Sequence, residues 1–289
     1  MTWFALSIGS ALFQVLRNMV MKRLGHALDE TINVWGRFTF ILPFAALGVA
    51  AEGIPTLQPD IWGYCVLFAL CQVSGTQCLA VALKVSDISL VTALWKVSVV
   101  LLLIWGVVYL GETPSALGIA GVLVSVAGVY LINIERARTA WWAPLAAVLK
   151  DPGQRWTLGA AFFYAPSVIF IRDIAVRSSP LFAVFIGYVF CSLLVTPLAV
   201  YRSARHFRQI ARHGWSFLAL GAFAAISTQF GTTAYTLTLP AYVEAVKQVE
   251  ILIALAIGYL VFQEGARIRA IWPGCVVMLA GIVMLVLGK

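Results

Sequence analysis

Long apolar stretches recur along the chain about every 25–30 residues, with short polar segments between them. A transmembrane helix needs about 20 mostly apolar residues, so each stretch is long enough to cross a bilayer once. Pro43, Pro166 and Pro197 fall inside such stretches and are expected to kink their helices. The pattern predicts an all-α polytopic membrane protein with ten transmembrane helices, at about residues 2–21, 31–51, 61–83, 88–110, 115–134, 156–176, 181–201, 215–238, 241–262 and 270–288.

The two halves of the chain repeat. Thr76-Gln77 matches Thr228-Gln229, and Glu112 matches Glu264, at one offset of 152 residues. Each half holds five predicted spans, and an odd number makes the second copy enter the membrane in the opposite orientation. The sequence therefore predicts a 5+5 inverted repeat, with a first repeat at 1–134, a connecting segment at 135–155 and a second repeat at 156–289.

Composition supports a membrane protein and argues against several other classes. Of the 289 residues, 62% are hydrophobic and 11% are charged, whereas soluble domains carry about 25% charged residues. The net charge of +8 is spread over short loops without a basic-aromatic motif, so we expect no nucleic-acid partner. The five cysteines all lie in apolar stretches without metal-ligand spacing and are expected to be free thiols. No nucleophile–base set or phosphate-binding loop is present, so we expect neither an enzyme nor a cofactor or metal site.

Loop charges predict an orientation. The loops after the odd-numbered spans carry 13 Lys and Arg residues, whereas the opposite side of the membrane carries only Arg177 and Lys289. Basic loops are retained in the cytoplasm. The count therefore places both termini outside.

Polar residues inside the ninth span mark a candidate site. The stretch Ala241 to Glu264 is strongly apolar, yet its first half carries Glu244, Lys247, Gln248 and Glu250. A charge inside a bilayer costs about 2.5–3.5 kcal/mol on insertion scales, so it usually faces a cavity and finds a partner. Glu244, Lys247 and Gln248 share one helix face, and Glu250 lies three residues from Lys247.

A second lysine lies near the equivalent position in the other half. Lys96 precedes Glu112 by 16 residues, and Lys247 precedes Glu264 by 17. Two lysines from symmetry-related helices would converge on one central cavity, where they could bind an anion together. The alternative is that each lysine only neutralises a carboxylate, Lys247 with Glu244 or Glu250.

Other polar and aromatic residues in the spans have two interpretations each. Arg17 and Arg172, and likewise Arg37, either reach the cavity or extend to the membrane interface. Gln77 and Gln229 either line the cavity or hydrogen-bond between helices. Aromatic residues near the cavity either stack on a substrate or pack between helices; the candidates are Trp95 and Tyr235.

Two related segments carry a resemblance to a known family. YLGETPSALGIAGVLVSVAGVYLI follows span 4, LVFQEGARIRAIWPGCVVMLAGIVML ends the chain, and Arg37-Phe38 opens span 2. With the five-plus-five duplication, they resemble the drug/metabolite transporter superfamily, and most of all its ten-span EamA-type members. The resemblance implies a basket of helices in the bacterial inner membrane, with spans 1–4 and 6–9 around a cavity and spans 5 and 10 outside. Bacterial members are expected to keep both termini in the cytoplasm, contrary to the loop charges.

A narrower resemblance concerns the substrate. Lys247 and Glu250 in span 9, with Lys96 in span 4, are similar to the anion-binding lysines of the triose-phosphate and nucleotide-sugar translocators. Those proteins typically have Lys-Arg in span 9, where this chain has Gln248 after Lys247. That departure makes a carboxylate or a zwitterionic, amino-acid-like metabolite at least as good a candidate as a phosphorylated one.

The expected function is secondary active transport of a small anionic or zwitterionic metabolite by alternating access. The partners are the substrate, the lipid bilayer and a proton as candidate coupling ion, which Glu244 or Glu250 would exchange. One alternative is an exporter of cationic drugs or polyamines that binds them through these two carboxylates. A further alternative is a flippase for a lipid-linked headgroup or a membrane scaffold. Sequence leaves the direction of transport and the oligomeric state open.

Overall fold

The computed structural model describes residues 2–110, 115–132, 143–238 and 240–287. These residues form α-helices joined by short turns and contain no β-strand, so the all-helical prediction is confirmed for them. The helices are α1 Thr2–Ala27, α2 Glu30–Phe40, α3 Leu42–Glu52, α4 Ile61–Val85, α5 Ile88–Trp95, α6 Val97–Leu110, α7 Ala116–Ile132, α8 Ala143–Lys150, α9 Pro152–Val176, α10 Pro180–Ser203, α11 Phe207–Ile210, α12 Gly214–Leu237, α13 Pro240–Val246, α14 Val249–Phe262 and α15 Gly265–Leu287.

Many of these helices are suited to a bilayer. Six helical segments in the described ranges are long and apolar enough to cross a membrane by length and composition. Three shorter apolar helical segments accompany them, at Ile88–Leu102, Ala116–Ile132 and Val249–Phe262. All five cysteines are free thiols, as expected.

Helix ends extend beyond the apolar stretches. The first helix continues to Ala27 rather than residue 21, and the last begins at Gly265 rather than 270. Both extensions include basic residues, such as Lys22 and Arg267. Backbone hydrogen bonding continues through them, whereas an apolar pattern ends at the first charges. Glu112 lies outside the described residues, as does much of the predicted connecting segment, whose described part includes α8.

Three predicted spans are each divided into two helices. Pro43 accounts for the break between α2 and α3, because its ring removes a backbone donor. The break at Lys96 has no proline: its amide donates to the Ala93 carbonyl at 3.2 Å, one residue nearer than in an α-helix. At the break after Val246, the amide of Glu250 donates to the Lys247 carbonyl at 3.0 Å, again three residues back. Helices α9 and α10, by contrast, continue through Pro166 and Pro197, so the prolines did not predict where these two breaks occur.

The helices pack in pairs that span the two halves of the chain. Helix α1 packs along α12, and α4 packs along α9; α5 contacts α14, and α6 contacts α13. The longest contact joins α7 to α15. A Cβ atom placed on Gly281 would lie 2.4 Å from the Ser125 backbone nitrogen, and one on Gly128 would lie 2.5 Å from that of Met278. Backbones therefore touch along this contact, as small residues permit in membranes.

One end of the bundle is held by a group that we call the Glu264 cluster. Glu264 accepts hydrogen bonds from the amides of Ile88 and Ser89, at 3.0 and 3.2 Å, and from the Ser89 hydroxyl at 2.7 Å. Its carboxylate lies 3.5 Å from the ammonium of Lys22, which donates to the Ser86 carbonyl at 2.6 Å. A residue of the second half thus caps the first turn of α5 in the first half, where a carboxylate is electrostatically favoured.

The opposite end, which we call the Arg177 end, has a different set of contacts. Arg177 lies 2.8 Å from the Asp60 carboxylate and donates to the Tyr64 hydroxyl at 3.1 Å. Ser179 donates to Glu52 at 2.8 Å. These contacts also join the two halves of the chain, but they are more exposed than the Glu264 cluster.

We expect Gly281→Ala to destabilise the protein by about 1–3 kcal/mol, because the added methyl group would overlap the α7 backbone. Thermal unfolding in detergent can be followed with a thiol-reactive dye, since Cys65, Cys191 and Cys275 are buried until the helices separate. The matched control is Gly63→Ala in α4, where a Cβ meets no atom within 4 Å. Equal melting temperatures for the two variants would contradict a backbone contact between α7 and α15.

Candidate functional site

Lys96 forms an ion pair across the two halves of the chain. Its ammonium lies 2.6 Å from Oε2 of Glu250, and both side chains are within 1% of full burial. Gln14 donates to the same carboxylate oxygen at 2.9 Å, and Lys96 approaches the Lys247 carbonyl at 3.5 Å. Lys96 follows the last residue of α5, at the break between α5 and α6, and its ammonium lies beside α14.

Lys247 is also paired with a carboxylate. Its ammonium lies 2.7 Å from Oε1 of Glu244 and 4.0 Å from Oε1 of Glu250. The hydroxyl of Tyr235 donates to the same Glu244 oxygen at 2.5 Å, while that of Tyr164 accepts from Lys247 at 3.1 Å. We call Lys96, Lys247, Glu244 and Glu250 the lysine cluster. Both ammonium groups lie within 4.0 Å of the Glu250 carboxylate, and in this structure each lysine neutralises one carboxylate.

A central cavity lies next to the lysine cluster and is lined by residues from both halves of the chain. Its wall includes Lys247 and Tyr235, whereas Lys96, Glu244 and Glu250 stand behind it. The cavity lies nearer the Arg177 end, since it reaches Ile171 in the C-terminal third of α9 and Tyr188 in the N-terminal half of α10. Its other polar and aromatic lining residues are Ser10, Gln14, Arg17, Arg37, Phe68, Gln72, Tyr164, Ser167, Ser227, Thr228 and Thr232.

Two buried arginines on the wall have neutral partners. Arg17, 3% exposed, donates from Nε and Nη2 to Oδ1 of Asn18 at 3.3 and 3.0 Å. Arg37, 2% exposed, donates from Nη1 to the Thr76 hydroxyl at 2.9 Å, and its Nε has no partner. A guanidinium stays charged in proteins. Among the described residues, neither guanidinium has a carboxylate within the ion-pair distance of 4.0 Å, and both line the same cavity.

Neutral polar groups continue along the wall from these arginines. Gln72 donates to the Tyr188 hydroxyl at 3.3 Å and accepts from Ser167 at 3.1 Å. Tyr188 shares a hydrogen bond of 3.2 Å with Thr228. This series of hydrogen bonds joins helices α4, α9, α10 and α12 around the cavity. No group of three or more His, Cys, Asp or Glu side chains in the described ranges is arranged to hold a metal ion.

The remaining predicted site residues lie away from the cavity wall. Gln229 donates to Thr233 in its own helix at 3.2 Å, and Gln248 donates to the Glu244 carbonyl at 2.9 Å. Trp95 packs on the Tyr164 ring, with centroids 4.8 Å apart. The other two are Gln77, whose buried Oε1 has no hydrogen-bond partner in the described residues, and Arg172, whose Nε has none either. Of the predicted set, the wall therefore contains Arg17, Lys247 and Tyr235.

The sequence did not decide between the cavity and the membrane interface for Arg37, and the structure places it on the cavity wall. This residue lies six residues into its predicted span, which made it as compatible with the membrane interface as with the interior. Helix α2 ends at Phe40, and the break there turns the chain beside Arg37. Tyr164 and Tyr188 were missed, because isolated tyrosines within apolar stretches are common packing residues.

Comparison with known proteins identifies the family. The model of the EamA-like transporter family matches the chain twice, at residues 1–134 and 152–287. The chain belongs to the EamA-like transporter family. It is therefore an integral membrane protein and a membrane transporter of the drug/metabolite transporter superfamily, as the sequence motifs predicted.

The fold resembles a known structure over nearly the whole chain, although the sequences have diverged. A protein of known crystal structure aligns with a TM-score of 0.56 over 95% of this chain and 97% of its own, at 15% sequence identity. At that identity the likeness concerns the fold alone. No curated protein matches the chain in sequence.

We expect Lys96→Met and Glu250→Gln each to reduce the free energy of unfolding by about 3–5 kcal/mol, because each leaves a charged partner buried without its counter-ion. The double variant should lose less than the sum of the two. The matched control is the pair of Lys84 with Glu30, at 2.7 Å but with side chains 37% and 27% exposed, which should contribute about 0–1 kcal/mol. Unfolding in detergent measures all of these, and strict additivity of the two buried substitutions would rule out direct coupling.

Proposed function

We propose that this EamA-family protein is a secondary active transporter of a small anionic metabolite, including zwitterions such as amino acids that present a carboxylate. The observation that carries the proposal is the pair of buried guanidinium groups on the cavity wall, Arg17 and Arg37, which have only neutral partners among the described residues. Guanidinium groups bind carboxylate and phosphate through paired hydrogen bonds, so such a ligand would replace the missing counter-ion.

The proposed architecture is a ten-span, 5+5 inverted repeat with repeats at 1–134 and 156–289. Its support comes from the way the helices pair. If α1 corresponds to α9 and α4 to α12, the contact of α1 with α12 has its counterpart in that of α4 with α9. The contacts of α5 with α14 and of α6 with α13 are related in the same way. In inverted-repeat transporters the substrate site lies between the repeats, as this cavity does.

The lysine cluster has a different role in this proposal from the one expected from sequence. Lys247 and Tyr235 contact the substrate from the wall, together with the two arginines. Lys96, Glu250 and Gln248 hold the interrupted helices in place behind it. A bound anion would compete with Glu244 for Lys247, and a carboxylate released from its lysine in a dry interior takes up a proton more readily. Proton coupling through Glu244 is therefore part of the proposal.

Alternating access requires that one end closes while the other opens. The Glu264 cluster closes its end through a buried carboxylate, whereas the cavity extends toward the Arg177 end. If the basic loops face the cytoplasm, the structure is a state that is closed on the cytoplasmic side. We place the protein in the inner membrane of a bacterium on the strength of its family.

The alternatives have less support. A cation exporter would need free carboxylates in the cavity, but Glu244 and Glu250 each lie within 2.7 Å of a lysine and stand behind the wall. A flippase for a lipid-linked headgroup would need an opening toward the lipid, and no described feature favours one. The proposal contains no catalytic step.

We expect Arg17→Gln and Arg37→Gln each to reduce transport of a small anion about tenfold or more, because a hydrogen bond to a charged group contributes about 1.5–3 kcal/mol. Solid-supported-membrane electrophysiology on proteoliposomes, with a panel of amino acids, carboxylates and phosphate, measures this. The matched control is Arg23→Gln, which removes an exposed arginine from the same helix as Arg17.

Full transport by both cavity variants would contradict anion binding by the arginines. The two-lysine prediction has its own test in Lys96→Ala and Lys247→Ala. If both variants transport at the wild-type rate, the lysines do not bind the anion.

We expect Glu264→Gln to shift the protein about tenfold toward a state open at the Glu264 end, because the amide loses its attraction to Lys22 and accepts hydrogen bonds less strongly. The readout is the labelling rate of Thr92→Cys, one turn inside the cluster, by a membrane-impermeant maleimide in a background with the native cysteines replaced by alanine. The matched control is Glu30→Gln, which removes an exposed ion pair at the same end. Equal labelling in both backgrounds would mean that the Glu264 cluster does not hold this end closed.

A further inference from the structure

The buried charges around the cavity do not balance. In the lysine cluster two ammonium groups face two carboxylates, Lys96 with Glu250 and Lys247 with Glu244, so this cluster is neutral as a whole. Arg17 and Arg37 add two positive charges to the wall. Their hydrogen-bond acceptors, Asn18 and Thr76, are neutral, and no carboxylate of the described residues lies within 4.0 Å of either guanidinium.

We infer that the cavity selects small organic dianions over monoanions of the same size. The inference rests on the proposed function and adds the charge of the substrate to it. A dianion would neutralise both guanidinium groups, whereas a monoanion would leave one of them buried without a counter-ion. Because isolated buried charges are strongly unfavourable, this difference should appear as selectivity in binding.

The arrangement of the wall also limits the kind of dianion. Arg17 and Arg37 come from different helices, α1 and α2, yet both line the same cavity, and like charges in one cavity repel each other. Either one phosphoryl group between them or two carboxylates, one on each, would relieve this repulsion. Phe68, Val168 and Ile171 on the same wall provide apolar contacts for a short carbon chain.

Hydroxyl and amide groups on the wall would complete the coordination. Tyr188 and Thr228 share one hydrogen bond, and Gln72 connects Tyr188 to Ser167. The hydroxyl groups of this hydrogen-bonded series can turn their protons toward an anion while their heavy atoms stay in place. The shared chemistry is therefore a dianionic group on a short organic skeleton, either a dicarboxylate or a phosphate monoester.

The test compares ligands that differ in charge, three of which share a four-carbon chain. Succinate carries two carboxylates, butyrate carries one, and putrescine carries two ammonium groups; ethyl phosphate, held above its second pKa of about 6, supplies the phosphoryl arm. Thermal stability of the purified full-length protein in detergent, at constant ionic strength, gives the affinity of each. We expect succinate or ethyl phosphate to bind about tenfold or more tightly than butyrate, and the tighter of the two identifies the source of the dianion.

Charge variants separate the inference from a general preference for anions. Arg17→Gln and Arg37→Gln each leave one uncompensated charge, so each should remove the preference for succinate over butyrate while butyrate still binds. Arg37→Lys keeps the charge and should retain the preference at lower affinity, because lysine lacks the paired donors of arginine. Arg23→Gln on the exposed surface should behave as the wild type.

Each other outcome is decisive. If butyrate binds the wild type as tightly as succinate and ethyl phosphate, and both arginine variants lose all anions, the dianion inference fails while anion transport stands. Stabilisation by putrescine with none by any anion overturns the proposed function as well. Absence of stabilisation by either dianion also overturns the inference, because two buried uncompensated charges should respond to any dianion that fits the cavity.

Discussion

The interior of this protein depends on the ion pair between Lys96 and Glu250. The two charges come from different halves of the chain and meet at 2.6 Å, away from both water and lipid. Neither would be stable there alone, because an unpaired charge in a bilayer lacks solvation. The pair therefore fixes how α5 and α14 lie against each other. It also holds the helix breaks at Lys96 and at Lys247, the second of which places Lys247 on the cavity wall.

The chemistry of the cavity follows from how these charges are used. Both carboxylates of the ninth predicted span are occupied by lysines, so they are not available to the arginines. Arg17 and Arg37 remain with an amide and a hydroxyl as partners. Because the lysines neutralise both carboxylates, the two arginines give the cavity a net positive charge, and the proposed anionic substrate follows from that charge.

Much of the fold could be predicted from the sequence, because a membrane helix is marked by a continuous apolar stretch along the chain. Apolar stretches located most helices, and the repeat and its glycine-bearing segments indicated the family that the comparisons confirm. The site was harder, because its contacts are not local. Glu250 lies three residues from Lys247, yet its closest lysine is Lys96, 154 residues away along the chain. Arg37 was ambiguous for a related reason: distance from a span end does not tell which neighbours surround a side chain. The breaks at Lys96 and Lys247 also lack the proline that would have indicated them.

Helix α5 links the closed end of the bundle to its centre. It has eight residues and is about 12 Å long. Its first turn is capped by Glu264, and the residue after its last turn is Lys96, so the second half of the chain holds it at both ends. A helix this short does not bend easily, so it would move as one rigid body. Release at Glu264 would strain the Lys96 contact, and loosening of Lys96 would in turn pull on the cap, so events in the cavity and at the membrane surface would be mechanically linked without a long relay of side chains.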